Sequence, residues 1–109
     1  MKQKFNVGVA ERFGVRSAVI VDIMMDFCRS VAKSAEYKFD NKVYVPFSEI
    51  RRNVPYMNKI QLAAALQNLI NNNIIQVHNL PTTGVRYSFT DYAKEQFSKK
   101  PIRIRIDWQ

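Results

Sequence analysis

The sequence predicts an α+β fold, mainly α, with a small antiparallel sheet. Three stretches predict it. Leu62, Ala65, Leu66 and Leu69 recur at the i, i+3, i+4, i+7 spacing of one helix face. A run from Arg16 or Ser17 to about Ser34 holds Ala18, Val19, Ile20, Ile23, Met24, Phe27, Cys28 and Val31, enough for a longer apolar helix. Ile74 to Asn79 and Val85 to Phe89 flank the turn formers Leu80-Pro81-Thr82-Thr83-Gly84, which reads as a β-hairpin.

The chain is organised around Val54–Ile75. Asn58 has the short polar side chain of an N-cap, able to accept from first-turn N–H groups. Leu62, Leu66 and Leu69 point to a core, and Lys59, Gln61, Ala64, Gln67, Asn68 and Asn71 look elsewhere. The helix should stop near Asn72–Asn73, because Asn tolerates the left-handed conformation that ends helices.

The other elements come in chain order. Phe5, Val9 and Phe13 are four apart, so Phe5 to Phe13 reads as a short helix that Gly14 interrupts. Val21 carries the apolar surface of the next helix almost around its circumference. Such a helix is central to a domain or part of an interface, and a homodimer through it is one reading. Glu36 to Asn41 is turn-prone, with Asp40–Asn41 at the tip. Val43-Tyr44-Val45 is a short strand closed by Pro46. Ser48 can cap a brief helix from Glu49 to about Asn53, which Pro55 ends. Thr90 is the next N-cap, leading into Asp91 to Phe97. In the tail Ile102, Ile104 and Ile106 alternate with Arg103 and Arg105, a strand pattern. That strand could pair with Val43–Val45 or cross to another subunit, with Trp108 packed over the fold.

Composition narrows the function. At 109 residues the chain is expected to form one domain, residues 1–109, that buries a core without disulfides or metal. Seventeen Lys and Arg against nine Asp and Glu give a formal charge of +8, which favours a polyanionic partner. Cys28 is the only cysteine, so no intrachain disulfide forms, and its apolar setting predicts a buried thiol. Neither a signal peptide nor a membrane-length apolar run is evident, and a cytoplasmic location is expected.

No catalytic constellation stands out. His78, the only histidine, has no second His or cysteine pair and reads as a strand residue rather than a metal ligand. Asp22 and Asp26, four apart on the long helix, read as its solvated face or as partners for Arg and Lys. There is no Gly-rich phosphate loop. No enzyme activity, cofactor or metal is expected.

Helix, helix, short strand, helix, helix, hairpin is the order of a winged helix. The segments FNVGVAERFG (5–14), VYVPFSEI (43–50), Val54–Ile75 and YSFT (87–90) resemble the winged-helix domain of phage and plasmid replication proteins, the replisome organisers and replication initiators. Matching positions are Pro55-Tyr56-Met57, Leu62, Ala65, Leu66, Leu69 and Ile74-Ile75, with Asn73 where the family has Gly, and Tyr87-Ser88-Phe89-Thr90 at the end. The resemblance covers roughly residues 5 to 97, and residues 98–109 form a basic tail outside it.

That resemblance implies a winged helix-turn-helix that binds double-stranded DNA. The helix after Asn58 would enter the major groove. Asn58, at the start of that helix, would belong to the DNA-binding surface, Lys59 would meet phosphate, and Gln61, Gln67 or Asn68 would pair with base edges. Arg51 and Arg52 would clamp the backbone from the preceding helix, and Arg86, with Thr82 and Thr83 at the hairpin tip, would reach the adjacent strand or minor groove. The expected role is replication initiation or transcriptional regulation. Because the chain ends soon after the hairpin, it is expected to lack the second domain with which replisome organisers load helicase. Ile60, Ala63 and Ala64 support a second reading, in which this face docks on a protein and the domain serves as a phage-encoded inhibitor or adaptor of a host system.

Overall fold

Four consecutive apolar residues, Ala18 to Val21, are all buried, and they make α2 (Val15–Ser30) the axis of the fold. The computed structural model describes residues 3–31, 38–39, 42–82, 84–99 and 105–108. Before α2 come β1 (Gln3–Asn6) and α1 (Val7–Phe13). After it come β2 (Lys38–Phe39), β3 (Lys42–Val43), β4 (Val45–Pro46), α3 (Phe47–Asn53) and α4 (Lys59–Asn71). The described residues close with β5 (Ile75–Leu80), β6 (Gly84–Phe89), α5 (Asp91–Lys99) and β7 (Arg105–Trp108). The fold is α+β and mainly α. Its three-stranded antiparallel sheet has the order β4-β6-β5, and β1-β7 and β2-β3 form separate two-stranded ribbons.

The core gathers around α2. Ile20, Met24, Ile50, Leu69, Ile74 and Ile75 are essentially inaccessible, and they come from α2, α3, α4 and the start of the hairpin. Much of the apolar surface of α2 is covered within one chain, with Ile23, Met25 and Phe27 half-buried. Asp22 shares that burial, contrary to the expectation of a solvated face. The cover extends around the helix far enough to enclose it, and Asp26 remains exposed in an ion pair with Arg29.

Two asparagines bound α4. Asn58 Oδ1 accepts from Gln61 N–H at 2.8 Å, and Gln61 Oε1 accepts from Asn58 N–H at 3.1 Å, a reciprocal capping box. At the other end Asn73 has φ 59°, the left-handed value expected of it. Ile74 N–H then donates to Leu69 C=O at 2.9 Å and Asn73 N–H to Ile70 C=O at 3.0 Å, the paired bonds of a Schellman motif. Ile74 thus belongs to the helix stop, and β5 begins one residue later than expected.

Thr90 locks this turn to α5. Its Oγ1 donates to Asn73 C=O and accepts from Ala93 N–H at 3.0 Å, so the expected cap of α5 also holds the end of α4.

Several boundaries differ from expectation. The first helix begins at Val7, not Phe5, because Gln3–Asn6 pair antiparallel with Arg105–Trp108, from Gln3↔Trp108 to Asn6↔Arg105. A partner strand overrides the local helical spacing in so short a segment. For the same reason the C-terminal strand lies against β1, not against Val43–Val45. Ile102, Arg103 and Ile104 lie outside the described residues, as does the side chain of Trp108.

The helical part of α2 ends at Ser30, and residues 32–34 lie outside the described residues, as do Asp40 and Asn41. The expected strand Val43–Val45 is split at Tyr44 into β3 and β4, and β4 closes on Pro46 opposite Arg86, at the edge of the sheet where proline is tolerated. Ser48 is not a cap. α3 starts at Phe47 behind Pro46 with no side-chain capping bond, since the fixed φ of proline already sets the entry into the helix.

The capping box should be measurable. Asn58→Ala is expected to cost about 1 kcal/mol, read as a lower midpoint in urea at unchanged m. Asn58→Asp should recover most of the loss.

Candidate nucleic-acid interface

The stripe Leu62, Ala65, Leu66 and Leu69 is buried, which turns Ile60, Ala64, Gln67 and Asn71 outward along the opposite side of α4. This ridge is flanked on both sides. Toward α3 and the hairpin lies a groove of about 390 Å³, lined by Phe47, Lys59, Ala63, Leu66, Val77 and Tyr87 among others. Toward the corner between α1 and α2 lies a more open cleft of about 610 Å³, lined by Phe13, Gly14, Arg16, Gln61, Ala64 and Asn68 among others. No acidic residue occurs on α4 or among the residues lining either depression.

The expected contact residues divide into two groups. Lys59 is exposed and forms no ion pair with any described residue. Gln67 is also exposed, and its Nε2 donates to Asn71 Oδ1 at 2.8 Å, one turn further along the ridge. Each amide nitrogen carries two hydrogens, so Gln67 keeps its Oε1 and one N–H for a ligand while Asn71 fixes its orientation. Thr82 is exposed at the hairpin tip, and Thr83 lies outside the described residues.

The second group is engaged in holding the fold. Asn58 and Gln61 form the capping box. Asn68 Nδ2 donates to Phe13 C=O at 2.7 Å and to Ser17 Oγ at 3.2 Å, and its Oδ1 accepts from Asn72 at 3.1 Å. Both hydrogens of that amide are used. Arg51 curls under the α3–α4 turn, where Nη1 donates to Met57 C=O at 2.7 Å and to Val54 C=O at 3.1 Å. Arg52 pairs with Glu49 on the surface.

Arg86 lies within the sheet, opposite His78. Strand alternation puts it with His78 and Ser88 on the face away from Val77 and Tyr87, which line the α3-side groove. The fold therefore brings Lys59 and Gln67 together and sets Arg86 apart from them.

Sequence reasoning misses two features of this surface. Helical spacing puts Asn71 outside the core without giving it a role, although Gln67 and Asn71 are four apart and helical i, i+4 amides can bond. Arg16 lines the α1-side cleft and Arg12 stacks on Phe13, one of its lining residues, because Gly14 at φ 90° turns the chain between α1 and α2. Only the arginines flanking that glycine signal it.

The remaining reactive groups lie elsewhere. His78 Nε2 is 2.9 Å from Ser88 Oγ, and its ring lies 4.7 Å from that of Tyr44, in keeping with a structural strand residue. Cys28 is half-buried rather than fully buried, and desolvation pushes its thiol pKa up despite Lys94 and Arg29 nearby. No group of three or more His, Cys, Asp or Glu among the described residues is placed to hold a metal ion. No helix among them is long and apolar enough to cross a membrane. No protein-family model, curated protein or solved structure matches the chain.

Three substitutions separate the side chains that hold the fold from one on the surface. Arg51→Met and Asn68→Ala should each cost about 1–3 kcal/mol, because part-buried carbonyl and hydroxyl partners lose their donor. Arg52→Ala should stay within about 0.5 kcal/mol, as expected for a solvated ion pair. Urea denaturation monitored by circular dichroism checks all three. The raised Cys28 thiol should alkylate more slowly with iodoacetamide at pH 8 than a solvent-exposed cysteine, and its rate should climb only at higher pH.

Proposed function

We propose that α3, α4 and the β5–β6 hairpin act as a winged helix that binds duplex DNA, in replication initiation or transcriptional control of a phage or plasmid. The observation that carries this reading is the outer face of α4, which is capped at both ends, free of acidic side chains, fitted with an oriented amide pair toward its end and flanked at its start by Lys59, which forms no ion pair with any described residue. The resemblance to replication proteins and the charge of +8 support it. A ligand of that origin implies a cytoplasmic location.

The ridge chemistry favours particular bases. A Gln or Asn amide matches the N6/N7 edge of adenine, and alanine or a larger apolar side chain packs against the thymine methyl group. Gln67, Asn71, Ala64 and Ile60 therefore suit a site containing A·T pairs, with Lys59 on phosphate. In this reading Arg51, Asn58, Gln61 and Asn68 support the recognition helix rather than touch bases, and Arg52, exposed beside Glu49, is left for phosphate. Thr82 and Thr83 remain candidates for contact at the hairpin tip.

One observation favours a second reading. Ile60 is 79% exposed, and the groove beside it is lined by Phe47, Ala63, Leu66 and Val77, a surface suited to docking a host or phage protein. Duplex titrations decide between the two. Labelled A·T-rich and G·C-rich duplexes should both bind with log affinity falling linearly with log salt. Lys59→Glu should weaken both, whereas Gln67→Ala should cost about 1–3 kcal/mol on the A·T-rich duplex alone. Absence of binding at low salt would reject the DNA reading, and loss of captured protein partners on Ile60→Asp would support the second.

A further inference from the structure

We infer that the cleft at the α1–α2 corner is a second seat for the phosphodiester backbone, so that α4 is flanked by cations on both sides. The inference rests on the duplex reading above. An α-helix with its side chains is about 10–12 Å across, and the major groove of B-DNA is about 12 Å wide. A helix inserted there faces a phosphate strand on each side. Lys59 serves only one of them, because it lies on the α3-side flank.

The opposite flank has its own cations. Arg16 lines the cleft, is exposed and forms no ion pair with any described residue. Arg12 stacks its guanidinium 4.8 Å above the ring of Phe13, another residue of the cleft. Stacking occupies the flat face of the guanidinium and leaves its N–H edges for phosphate oxygens.

The corner is also fixed relative to α4. Asn68 holds Phe13 C=O, and Ser17 Oγ donates to Ala65 C=O at 3.1 Å. The two arginines therefore extend from a base tied directly to the recognition helix. No acidic residue lines the cleft to repel a phosphate, and Arg16 supplies a cation there.

The experiment compares salt slopes for full-length wild type, Arg12→Ala, Arg16→Ala and Arg29→Ala on one A·T-rich duplex. Arg29 is the control, since it is paired with Asp26 near the far end of α2. Each phosphate contact contributes about 0.9 to the slope of log affinity against log salt. Arg16→Ala and Arg12→Ala should each lower the slope by about that amount, and Arg29→Ala should leave it unchanged. Wild-type slopes in both cleft variants would overturn the inference while leaving duplex binding in place. An equal loss in all three variants would overturn it too, by pointing to diffuse charge. No binding by wild type would overturn both readings. All three side chains are exposed, so thermal melts should match wild type and exclude misfolding as the cause.

Discussion

The amide of Asn68 is the constraint on which the candidate surface depends. It joins the last carbonyl of α1, the first turn of α2 and the middle of α4 in one cluster, with Ser17 as both donor and acceptor. Ser17 is buried, so its hydroxyl requires partners, and an unsatisfied group there would cost more than the bond itself contributes. Apolar packing brings α2 and α4 together, but packing alone is non-directional. The hydrogen bonds fix how far α4 is rotated and how far it slides. Which residues form its outer ridge depends on that setting.

A well-defined exposed helix face needs rigid support beneath it, and polar residues must be divided between the two. Here Asn58, Gln61, Asn68 and Asn72 serve the support, and Gln67 and Asn71 form the face. Arg51 obeys the same logic one turn earlier, where its charge satisfies two carbonyls at the bend between α3 and α4. The support is strong because side chains serve backbone groups at helix ends: Asn58 and Gln61 accept from N–H groups at the start of α4, and Asn68 donates to the last carbonyl of α1. The outer surface is correspondingly sparse, with the small residues Ala63 and Ala64 ahead of the amide pair. Small side chains permit close approach of whatever lies against the helix, whether a base edge or a protein surface.

Much of the framework is legible in the sequence because its signals are local. The caps at Asn58 and Thr90, the left-handed Asn73, the break at Gly14 and the buried stripe of α4 each stem from a residue type and its immediate neighbours. The features that escape a sequence reading depend on contacts between distant segments. Nothing near Gln3 announces a strand until its partner at Trp108 is known. Asn68 and Gln67 are neighbours of the same chemical type, yet one faces the α1–α2 corner and the other the outer ridge. Helical periodicity gives that angular difference, but not that Phe13 and Ser17 lie there to take the amide. Asp22 departs from expectation for a related reason, since spacing places it on a helix face without saying how far the cover extends. Site residues are therefore harder to assign than elements.

The β1–β7 ribbon has a consequence for the order in which the molecule assembles. The β5–β6 hairpin closes across a few residues and the stop of α4 across even fewer, so both can form early from nearby chain. Pairing Gln3 with Trp108 instead closes nearly the whole polypeptide, and the entropy lost grows with the logarithm of the loop enclosed. Two strands alone are marginal in water. The ribbon therefore belongs to the last stage of folding and to the first stage of opening, after the helices have already confined the two ends to one region. Its amides should exchange with solvent ahead of those of the central helices. Unzipping it would leave the Asn68 cluster and the stop of α4 intact, so the chain can loosen at its joined ends while the outer face of α4 keeps its shape.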